Sequence, residues 1–425
     1  MLFMQALGAF TVTSLPNAEK PYRLVLREIA SHTAITFLST LAIQATTFAI
    51  LALAAVILPV GEFARLSLIV AAVMLASALF ELGLNITSTK MYGDTRDEGY
   101  LHFAFLIRLG LVPLGAVIGA AVAFAGLSDI GLGIALGAIL NIWNGMRATD
   151  QARQDYGSFA RSSAVFAVLR ATAGLFALFV FHDAPLVAIA VYAVPVVACL
   201  TSASARLFRE ALSAPRPEIA GVLRYGTYVY INAVTFIAIP YVPQFFVASR
   251  LDAVHVGTYG LILTFLGPIS LVVNSLYNVL LPKMLGTNSS VEGMLWSRRG
   301  AIAIVMLWLV MLAGSGVLAA GLNAVYQARF PGIVPMFLLY FAGFSASTLL
   351  GIYTLSVHTQ GVPQINMVVN AVRLVALLAA LYGFGRSLSS IILIVVCMMV
   401  IGQIAVVAWL SRRRFLSSRV QSCAE

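Results

Sequence analysis

The stretch LPVGEFARLSLIVAAVMLASALFELGLNITSTKMYG, residues 58–93, begins with a short turn and continues as a mostly apolar segment. Polar residues are concentrated near its far end, at Glu81, Asn85, Ser88 and Thr89. An apolar run of about 20 residues is long enough to cross the hydrocarbon core of a bilayer as an α-helix. The stretch therefore predicts a membrane-spanning helix that becomes polar toward one end.

Parts of this stretch return about 195 positions later in the chain. The turn VGEFA at 60–64 is echoed by VGTYG at 256–260, and KMYG at 90–93 is echoed by KMLG at 283–286. Both echoes occur in the same order at the two ends of a hydrophobic segment. This pattern predicts an internal repeat, and hence a chain built from two related halves.

The composition identifies an integral membrane protein. Hydrophobic residues make up 61% of the chain and charged residues 10%, whereas about a quarter of a soluble domain is charged. The net charge of +10 does not indicate a nucleic-acid partner, because most basic residues stand singly between apolar segments. Cys199, Cys397 and Cys423 are isolated from one another and from histidine, so no metal site, cofactor or disulfide framework is predicted.

Apolar runs of about 20 residues occur twelve times along the chain. We therefore expect an all-α, polytopic membrane protein with twelve transmembrane helices in two pseudo-symmetric six-helix lobes around a central polar cavity. The predicted helices cover residues 33–57, 62–89, 99–125, 130–149, 160–181, 185–207, 222–247, 255–282, 300–320, 332–357, 363–382 and 388–410. Because twelve is even, both termini should lie on one side of the membrane.

The distribution of Lys and Arg predicts which side that is. With the N-terminus inside, nineteen of these residues lie in inner segments, and the outer connections carry only Arg65, Arg250, Arg329 and Arg386. The positive-inside rule therefore favours cytosolic termini. The first residues lack a basic n-region, so no cleaved signal peptide is expected.

The longest basic connection, residues 206–224, contains Pro215 and Pro217 and separates the first six spans from the last six. The predicted organisation is a cytosolic N-terminal segment at 1–32, an N-lobe with helices 1–6 at 33–208, an inter-lobe cytosolic linker at 209–221, a C-lobe with helices 7–12 at 222–410 and a basic cytosolic tail at 411–425. Two GxxxG pairs, at 115–119 and 133–137, predict close helix packing.

Polar side chains form stripes along several of the apolar spans, at successive helical turns. Each stripe alone is explained equally well by hydrogen bonds between helices. Stripes in both halves together favour one shared, water-filled cavity, because unpaired polar groups that face hydrocarbon are costly. The candidate wall residues are Thr36, Thr40, Gln44, Asn144, Thr235, Asn278, Asn366 and Asn370.

Buried charge gives a sharper signal. Arg108, Arg170 and Arg373 each lie roughly ten residues from the inner end of a span, a depth of about 15 Å, and an arginine at that depth is a functional candidate by default. Glu81 lies at a similar depth; it is the candidate proton-carrying site, and a structural pair with Arg108 explains both residues equally well. One carboxylate cannot neutralise three arginines, so the cavity should remain positive. Arg224, in the seventh span, completes the candidate substrate-binding set.

A cationic cavity with a polar wall suits an anionic, hydroxyl-rich cargo, because the guanidinium fork binds phosphate through two hydrogen bonds. The phosphate-binding loop GxxxxGK[ST] is missing from the sequence, so ATP hydrolysis by this chain is not expected. The histidines are scattered over separate segments and do not form a catalytic cluster. The sequence thus predicts binding and transport, and no enzymatic activity.

Several short motifs together resemble those of the polysaccharide-export flippases, the O-antigen and exopolysaccharide repeat-unit translocases of the multidrug/oligosaccharidyl-lipid/polysaccharide superfamily. These motifs are the polar stripe in span one, the two VGx[FY] turns, the sequence FELGL at 80–84 and the Leu281-Pro282 pair. The family usually has an aspartate where this chain has Glu81. The similarity in layout extends over almost the whole chain.

The resemblance implies alternating access between two six-helix bundles in a bacterial inner membrane. The implied cargo is an undecaprenyl-pyrophosphate-linked oligosaccharide repeat unit, moved from the cytosolic to the periplasmic leaflet for surface polysaccharide assembly. Membrane lipids, a polysaccharide polymerase and chain-length machinery are the further partners that the resemblance implies. A cationic lumen is common in the family, and Arg108, Arg170, Arg224 and Arg373 are the candidates for it here.

Three other classes of protein share part of this pattern. A drug or cation antiporter of the same superfamily would have the same twelve helices, but such pumps commonly carry acidic residues in the first or seventh span, and spans 33–57 and 222–247 contain none. A membrane enzyme that acts on lipid-linked sugars generally needs a large external loop, and all outer connections here are short. An unrelated secondary transporter with six plus six helices is the third alternative.

Overall fold

The computed structural model describes the backbone of residues 19–200, 219–267, 295–359 and 364–422. Within these ranges the chain forms helices and no strands. The helices are α1 Glu19–Ile57, α2 Val60–Thr95, α3 Gly99–Phe124, α4 Ser128–Ala152, α5 Tyr156–Val180, α6 Ala184–Leu200, α7 Ile219–Arg250, α8 Ala253–Gly267, α9 Arg298–Tyr326, α10 Ile333–Thr359, α11 Gln364–Phe384 and α12 Leu388–Ser422.

These twelve helices correspond one to one to the twelve predicted spans, so the predicted all-α, polytopic fold is confirmed. Ten of them are long and apolar enough to cross a membrane. The described parts of α6 and α8 are shorter, and each ends where a gap in the described residues begins. The ends of the predicted spans 185–207 and 255–282, and the repeated KMLG at 283–286, therefore lie outside the described residues.

The first and last helices extend far beyond the predicted spans. Helix α1 begins at Glu19, inside the predicted N-terminal segment 1–32, and α12 continues to Ser422, inside the predicted tail 411–425. Most of the predicted linker 209–221 lies in the gap between residues 200 and 219. Hydropathy marks only the part of a helix that is apolar enough for lipid, which explains why these helices extend beyond the predicted spans.

The helices pack in the same pattern in both halves. In the N-lobe, α1–α6, helix α1 packs on α5, α3 on α4 and α5 on α6. In the C-lobe, α7–α12, helix α7 packs on α11, α9 on α10 and α11 on α12. The repeat that the sequence predicted from two short echoes is thus present as two lobes with equivalent packing.

Helix α2 is broken, whereas the sequence predicted one continuous span over 62–89. Its two segments are Val60–Glu81 and Leu84–Thr95, and between them Leu82 and Gly83 adopt positive φ angles of 51° and 70°. Gly83 tolerates this backbone because it has no Cβ. A Cβ at Gly83 would also lie 2.7 Å from the carbonyl oxygen of Gly226 in α7. The break therefore brings α2 of the N-lobe against α7 of the C-lobe.

The glycine pairs pack helices closely, as the sequence predicted. A Cβ at Gly119 would lie 2.5 Å from the carbonyl oxygen of Gly131, where α3 approaches α4. A Cβ at Gly133 would lie 2.4 Å from the Cβ of Ala72, where α4 approaches α2. Small residues thus allow direct backbone contact across three helices of the N-lobe.

The turns after α1, α3, α5, α7, α9 and α11 lie at one end of the bundle, which we call the distal end. Here Arg65 binds Asp129 with two hydrogen bonds of 3.1 Å, from Nε and Nη2. Its Nη1 donates to Glu62 at 2.9 Å, and the other oxygen of Glu62 accepts the N–H of Ala184 at 3.0 Å. This network joins the beginnings of α2, α4 and α6 and holds the distal end of the N-lobe together.

Candidate functional site

A cavity of about 80 Å³ lies between the two lobes. Helices α1 and α2 form its N-lobe wall, and α7 and α8 form its C-lobe wall. Apolar and aromatic side chains such as Phe48 and Met74 alternate with polar ones. The polar side chains in the wall carry hydroxyl or amide groups, and none of them is charged: Gln44, Thr47, Ser67, Tyr241, Gln244 and Thr264.

Gln244 stands out in this wall. Its side chain is 1% exposed, and its Nε2 has no hydrogen-bond partner among the described residues. Gly260 of α8 lies beside it. A Cβ at Gly260 would be 2.4 Å from the Oγ of Ser67 in α2 and 3.1 Å from Gln244 Nε2. The lobes therefore make a very close contact at this point of the cavity wall.

On the distal side of the cavity, the C-lobe binds the end of α1. Tyr326 Oη donates to the carbonyl oxygen of Ala52 at 3.0 Å, and Arg329 Nη1 donates to that of Ala55 at 2.9 Å. Arg329 also donates to the carbonyl oxygens of Val56 and Leu58. The carbonyl of Ala55 needs such a partner because the residue four positions on is Pro59, which has no N–H. Arg329 thus caps α1 across the lobe interface.

Aromatic side chains close the same interface. The rings of Phe48 and Phe265 meet edge to face with centroids 5.0 Å apart, and Phe265 contacts Tyr326 at 5.9 Å. Phe63, in the first VGx[FY] turn, meets Phe330 at 5.6 Å. In the second turn, a Cβ at Gly257 would lie 2.7 Å from the ring of Phe330. The two repeated turns therefore meet at one aromatic contact between the lobes.

Arg170 lies inside the N-lobe, directly behind the cavity wall. It is 4% exposed, and its Nη1 donates to Oγ1 of the wall residue Thr47 at 2.6 Å. Its Nε donates to the carbonyl oxygen of Val191 at 3.0 Å. Val191 precedes Pro195 by four residues, so Arg170 replaces a hydrogen bond that α6 is unable to make. The ion pairs of the described residues do not include Arg170, so its charge is not neutralised by direct contact.

Arg147 in α4 is a half-buried arginine that sequence reasoning missed. Its Nη2 donates to Oγ1 of Thr40 at 3.0 Å, and its guanidinium lies 4.6 Å from the ring centroid of Phe159. Arg147 is near enough to Arg170 for the two charges to repel, and Asp150 offsets part of its charge. The sequence interpretation counted Arg147 as an inner-loop residue. Its spacing of three from Asn144 places it on the polar face of the same helix, which was the available signal.

Arg108 and Glu81 lie near each other, with Asn85 beside both. Arg108 Nη2 donates to Asn85 Oδ1 at 2.7 Å. Arg108 is 1% exposed, and a Cβ at Gly145 would lie 2.5 Å from its Nη1. The two charges attract each other inside the N-lobe, at the break of α2. Both alternatives for Glu81, a structural pair with Arg108 and a proton-carrying site, stay predictions.

Arg373 occupies the C-lobe position that corresponds to Arg170, because α11 is the repeat equivalent of α5. Its Nε donates to the carbonyl oxygen of Met398 and its Nη2 to that of Met399, both at 3.0 Å. Its Nη1 donates to Asn370 Oδ1 at 2.7 Å, and Asn370 Nδ2 donates to Asn232 at 2.8 Å. Arg373 therefore joins α7, α11 and α12 within the C-lobe.

The remaining candidates are dispersed. Asn144 donates to Ser77 at 3.2 Å, and Thr235 donates to carbonyl oxygens of its own helix. Thr36 and Asn366 are half-buried, while Asn278 and the side chain of Arg224 lie outside the described residues. Of the predicted wall residues, the cavity of about 80 Å³ takes in Gln44. Arg108, Arg170 and Arg373 lie within the lobes and not in the cavity wall.

No protein family profile and no curated protein matches the chain. Solved structures do match over most of its length. An inward-facing multidrug resistance MATE family transporter of the MOP superfamily aligns with a TM-score of 0.65 and 13% identity, over 89% of this chain and 96% of that chain. An outward-facing conformation gives a TM-score of 0.55 and 12% identity, over 90% and 95%.

A mutant of the Vibrio cholerae MATE transporter VcmN aligns with a TM-score of 0.58 and 13% identity, over 92% of this chain and 97% of that chain. Identities this low establish the fold alone. The agreement extends over both lobes, and the neighbours are named as transporters. The chain is therefore a multi-pass membrane protein with the fold of the MATE transporters of the MOP superfamily.

Proposed function

We propose that this protein is an alternating-access transporter that flips an undecaprenyl-pyrophosphate-linked oligosaccharide repeat unit for surface polysaccharide assembly. The observation that carries the proposal is the cavity between the lobes. Its wall carries uncharged hydroxyl and amide groups, and the arginine directly behind it forms no ion pair with the described residues. Amides and hydroxyls are suited to hydrogen-bond sugar hydroxyls. The positive charge behind them favours an anionic headgroup.

Arg170 is the main source of that positive charge. It is 4% exposed and touches the wall residue Thr47 through a hydrogen bond of 2.6 Å. In a low-dielectric interior a charge acts over several ångströms, so a group in the cavity experiences it without direct contact. The same field opposes the binding of organic cations. This opposition supports an anionic cargo over a drug cation.

Alternating access requires the two lobes to separate at one end while they close at the other. At the distal end they are joined by Tyr326 and Arg329, which bind carbonyl oxygens of α1. We propose that this contact closes the periplasmic side, with both termini cytosolic in a bacterial inner membrane. The higher TM-score with the inward-facing neighbour than with the outward-facing one supports this assignment.

A polar groove between the lobes suits the movement of a lipid-linked sugar across the bilayer. A diphosphate with attached sugars does not cross hydrocarbon unaided, but a polar groove between lobes holds the headgroup while the polyprenyl chain remains in lipid. An inside-negative potential favours outward movement of an anion by roughly 2.3 kcal/mol per charge per 100 mV. The potential therefore favours movement of the repeat unit from the cytosolic leaflet to the periplasmic leaflet.

The test is transport in proteoliposomes. Purified protein is reconstituted with a fluorescent polyprenyl-pyrophosphate oligosaccharide, and the fraction moved between leaflets is measured with a membrane-impermeant quencher. We expect transport by the wild type and a loss of at least several-fold in Gln44→Leu combined with Thr264→Val. Thr172→Val is the matched control, because Thr172 is exposed and its hydroxyl donates to Val168 of its own helix.

The alternative is a drug or cation antiporter of the same superfamily, which the printed names of the neighbours suggest for those proteins. The same proteoliposomes, loaded with a fluorescent organic cation under a proton or sodium gradient, measure this activity. Cation exchange without movement of the lipid-linked sugar would replace the flippase proposal with the antiporter.

A further inference from the structure

Gln244 is unusual among the polar residues of the cavity because its amide is left without a partner. The hydroxyls of Thr47 and Thr264 donate to carbonyl oxygens of their own helices, at 3.0 and 2.9 Å. The Nε2 of Gln244 has no hydrogen-bond acceptor within the described part of the chain, although the residue is 1% exposed. The great majority of buried polar groups in folded proteins are paired. Because Gln244 also lines the cavity, its amide calls for an acceptor from outside the chain.

The surroundings of this amide place it at the cavity wall. Gly260 lies beside it, and a Cβ there would be 3.1 Å from Nε2 and 2.4 Å from Ser67 Oγ. Gln244, Gly260 and Ser67 all line the cavity, together with Gln44 from the opposite lobe. The amide therefore lies where the two lobes meet, at a place that a cargo headgroup between them would occupy.

The chemistry of the amide selects the part of the cargo that it binds. Phosphate oxygens are bound most strongly by charged donors such as arginine. A neutral N–H donor is suited to a neutral acceptor, such as a sugar hydroxyl, a ring oxygen or an acetamido carbonyl. If such a donor is replaced, the substrate oxygen that it bound loses its hydrogen bond. The donor therefore discriminates between substrates that carry this oxygen and substrates that lack it.

We propose that the Nε2 of Gln244 donates a hydrogen bond to a sugar oxygen of the cargo and so sets specificity for the glycan part of the headgroup. This inference rests on the proposed function. Because Gln244 is in the C-lobe and Gln44 in the N-lobe, a sugar bound between them is held by both lobes at once. When the lobes separate at the distal end, the sugar keeps the donor of one lobe and loses the donor of the other. Its binding is then weaker on the distal side.

The experiment compares Gln244→Met with wild type in the proteoliposome assay and uses two cargoes. One cargo is a fluorescent polyprenyl-pyrophosphate disaccharide, and the other is the same fluorescent polyprenyl pyrophosphate without sugar. Methionine has nearly the shape of glutamine but no hydrogen-bond donor. A neutral hydrogen bond contributes about 0.5–1.5 kcal/mol, so we expect KM for the disaccharide cargo to rise about 2- to 13-fold, with kcat and the KM of the sugar-free lipid unchanged.

Gln403→Met is the matched control. Gln403 is a buried glutamine in α12 with an unpaired Oε1, and it is not part of the cavity wall. We expect its KM to remain that of the wild type for both cargoes. If Gln244→Met does not fold, Gln244→Leu provides the second variant, because it removes both N–H donors without adding a charge.

The outcomes distinguish a failure of the role of Gln244 from a failure of the proposed flippase function. Transport of the disaccharide cargo with an unchanged KM in Gln244→Met would overturn the role of Gln244 and leave the flippase intact, as would an equal loss for the sugar-free lipid. Absence of disaccharide transport by the wild type would overturn the proposed function and this inference together. A rise in KM confined to the sugar-bearing cargo would support both.

Discussion

Arg329 donates a hydrogen bond of 2.9 Å to the carbonyl oxygen of Ala55, from the turn between α9 and α10 of one lobe to the end of α1 in the other. The arginine also bonds the carbonyls of Val56 and Leu58. A guanidinium is well suited to this position because it carries five N–H donors in a rigid plane. Its positive charge is also favourable beside the negative end of the helix dipole.

We expect Arg329→Gln to favour separation of the lobes at the distal end. Glutamine retains two N–H donors but loses the charge and the fork, so the three carbonyls of α1 are no longer all capped. With native cysteines replaced, spin labels at Leu127→Cys and Phe384→Cys report the distance between lobes, because both positions are exposed near distal turns. A larger population at long distances is the expected result.

Arg386→Gln is the control for this measurement. Arg386 is an exposed arginine at the distal end of the C-lobe, so the substitution removes the same charge. If Arg329→Gln and Arg386→Gln give the same distance distribution as the unsubstituted protein, Arg329 does not hold the lobes together.

Arg170→Met should weaken both the N-lobe and the binding of anionic cargo. The substitution leaves the carbonyl of Val191 without a donor, and an unsatisfied buried group costs about 1–3 kcal/mol. It also removes the charge behind Thr47, so KM for a pyrophosphate-linked cargo should rise and become less sensitive to salt. Thermal unfolding and transport at two ionic strengths measure the two effects. An unchanged salt dependence would limit Arg170 to a structural role.

Gly83→Ala should lower the thermal stability of the protein. At φ +70° a side chain costs about 1–2 kcal/mol, and the added Cβ would lie 2.7 Å from the carbonyl oxygen of Gly226. The break in α2 and its contact with α7 should therefore both be disturbed. Gly110→Ala is the control, since no atom lies within 4 Å of a Cβ built there. Equal unfolding temperatures for the two variants would contradict the contact between α2 and α7.

The hydrogen bonds of Asp252 predict that acid destabilises the distal turn between α7 and α8. The backbone N–H of His255 donates to its carboxylate at 3.0 Å and, with the His255 side chain, lowers the pKa of Asp252 from its ordinary value. A lowered pKa in the folded state stabilises the protein above the unfolded pKa of about 3.9, and this stabilisation is lost as the pH falls through the lower folded value.

Asp252→Ala should therefore unfold at a lower temperature than wild type near neutral pH. The difference between the two should shrink below about pH 4, the unfolded-state value for aspartate. A thermal unfolding series from neutral to acidic pH measures it. A difference that stays constant over the whole series would show that the charge of Asp252 does not contribute.

Hydrophobicity and its periodicity were sufficient to predict the twelve helices and their division into two halves. The prediction succeeds because the backbone groups of a membrane-spanning segment must form their hydrogen bonds within that segment. A long apolar run in lipid therefore forms a helix. The GxxxG pairs were also interpreted correctly, since close packing depends on residue size alone. The break after Glu81 was missed because Gly83 in an apolar run carries no signal of its own backbone angle.

The candidate site was predicted less well. The sequence identified Gln44 and the buried arginines, but the direction of each side chain depends on which helices lie beside it. Arg170 and Arg373 bond carbonyls of the following helix, and Arg108 bonds Asn85 of α2. Helical spacing places residues on a face of one helix and does not reveal whether that face meets the cavity or the interior of a lobe.

By itself, the sequence determined that this chain is a twelve-helix membrane protein with two related halves, because apolar length and repeated motifs are local properties. Tertiary structure alone decided that Gln244 lines the cavity with an Nε2 that has no partner among the described residues, that Arg170 lies one residue behind the wall, and that Arg329 caps a helix of the other lobe. These contacts join residues up to 274 positions apart. They follow from how the lobes pack against each other, and no local pattern encodes them.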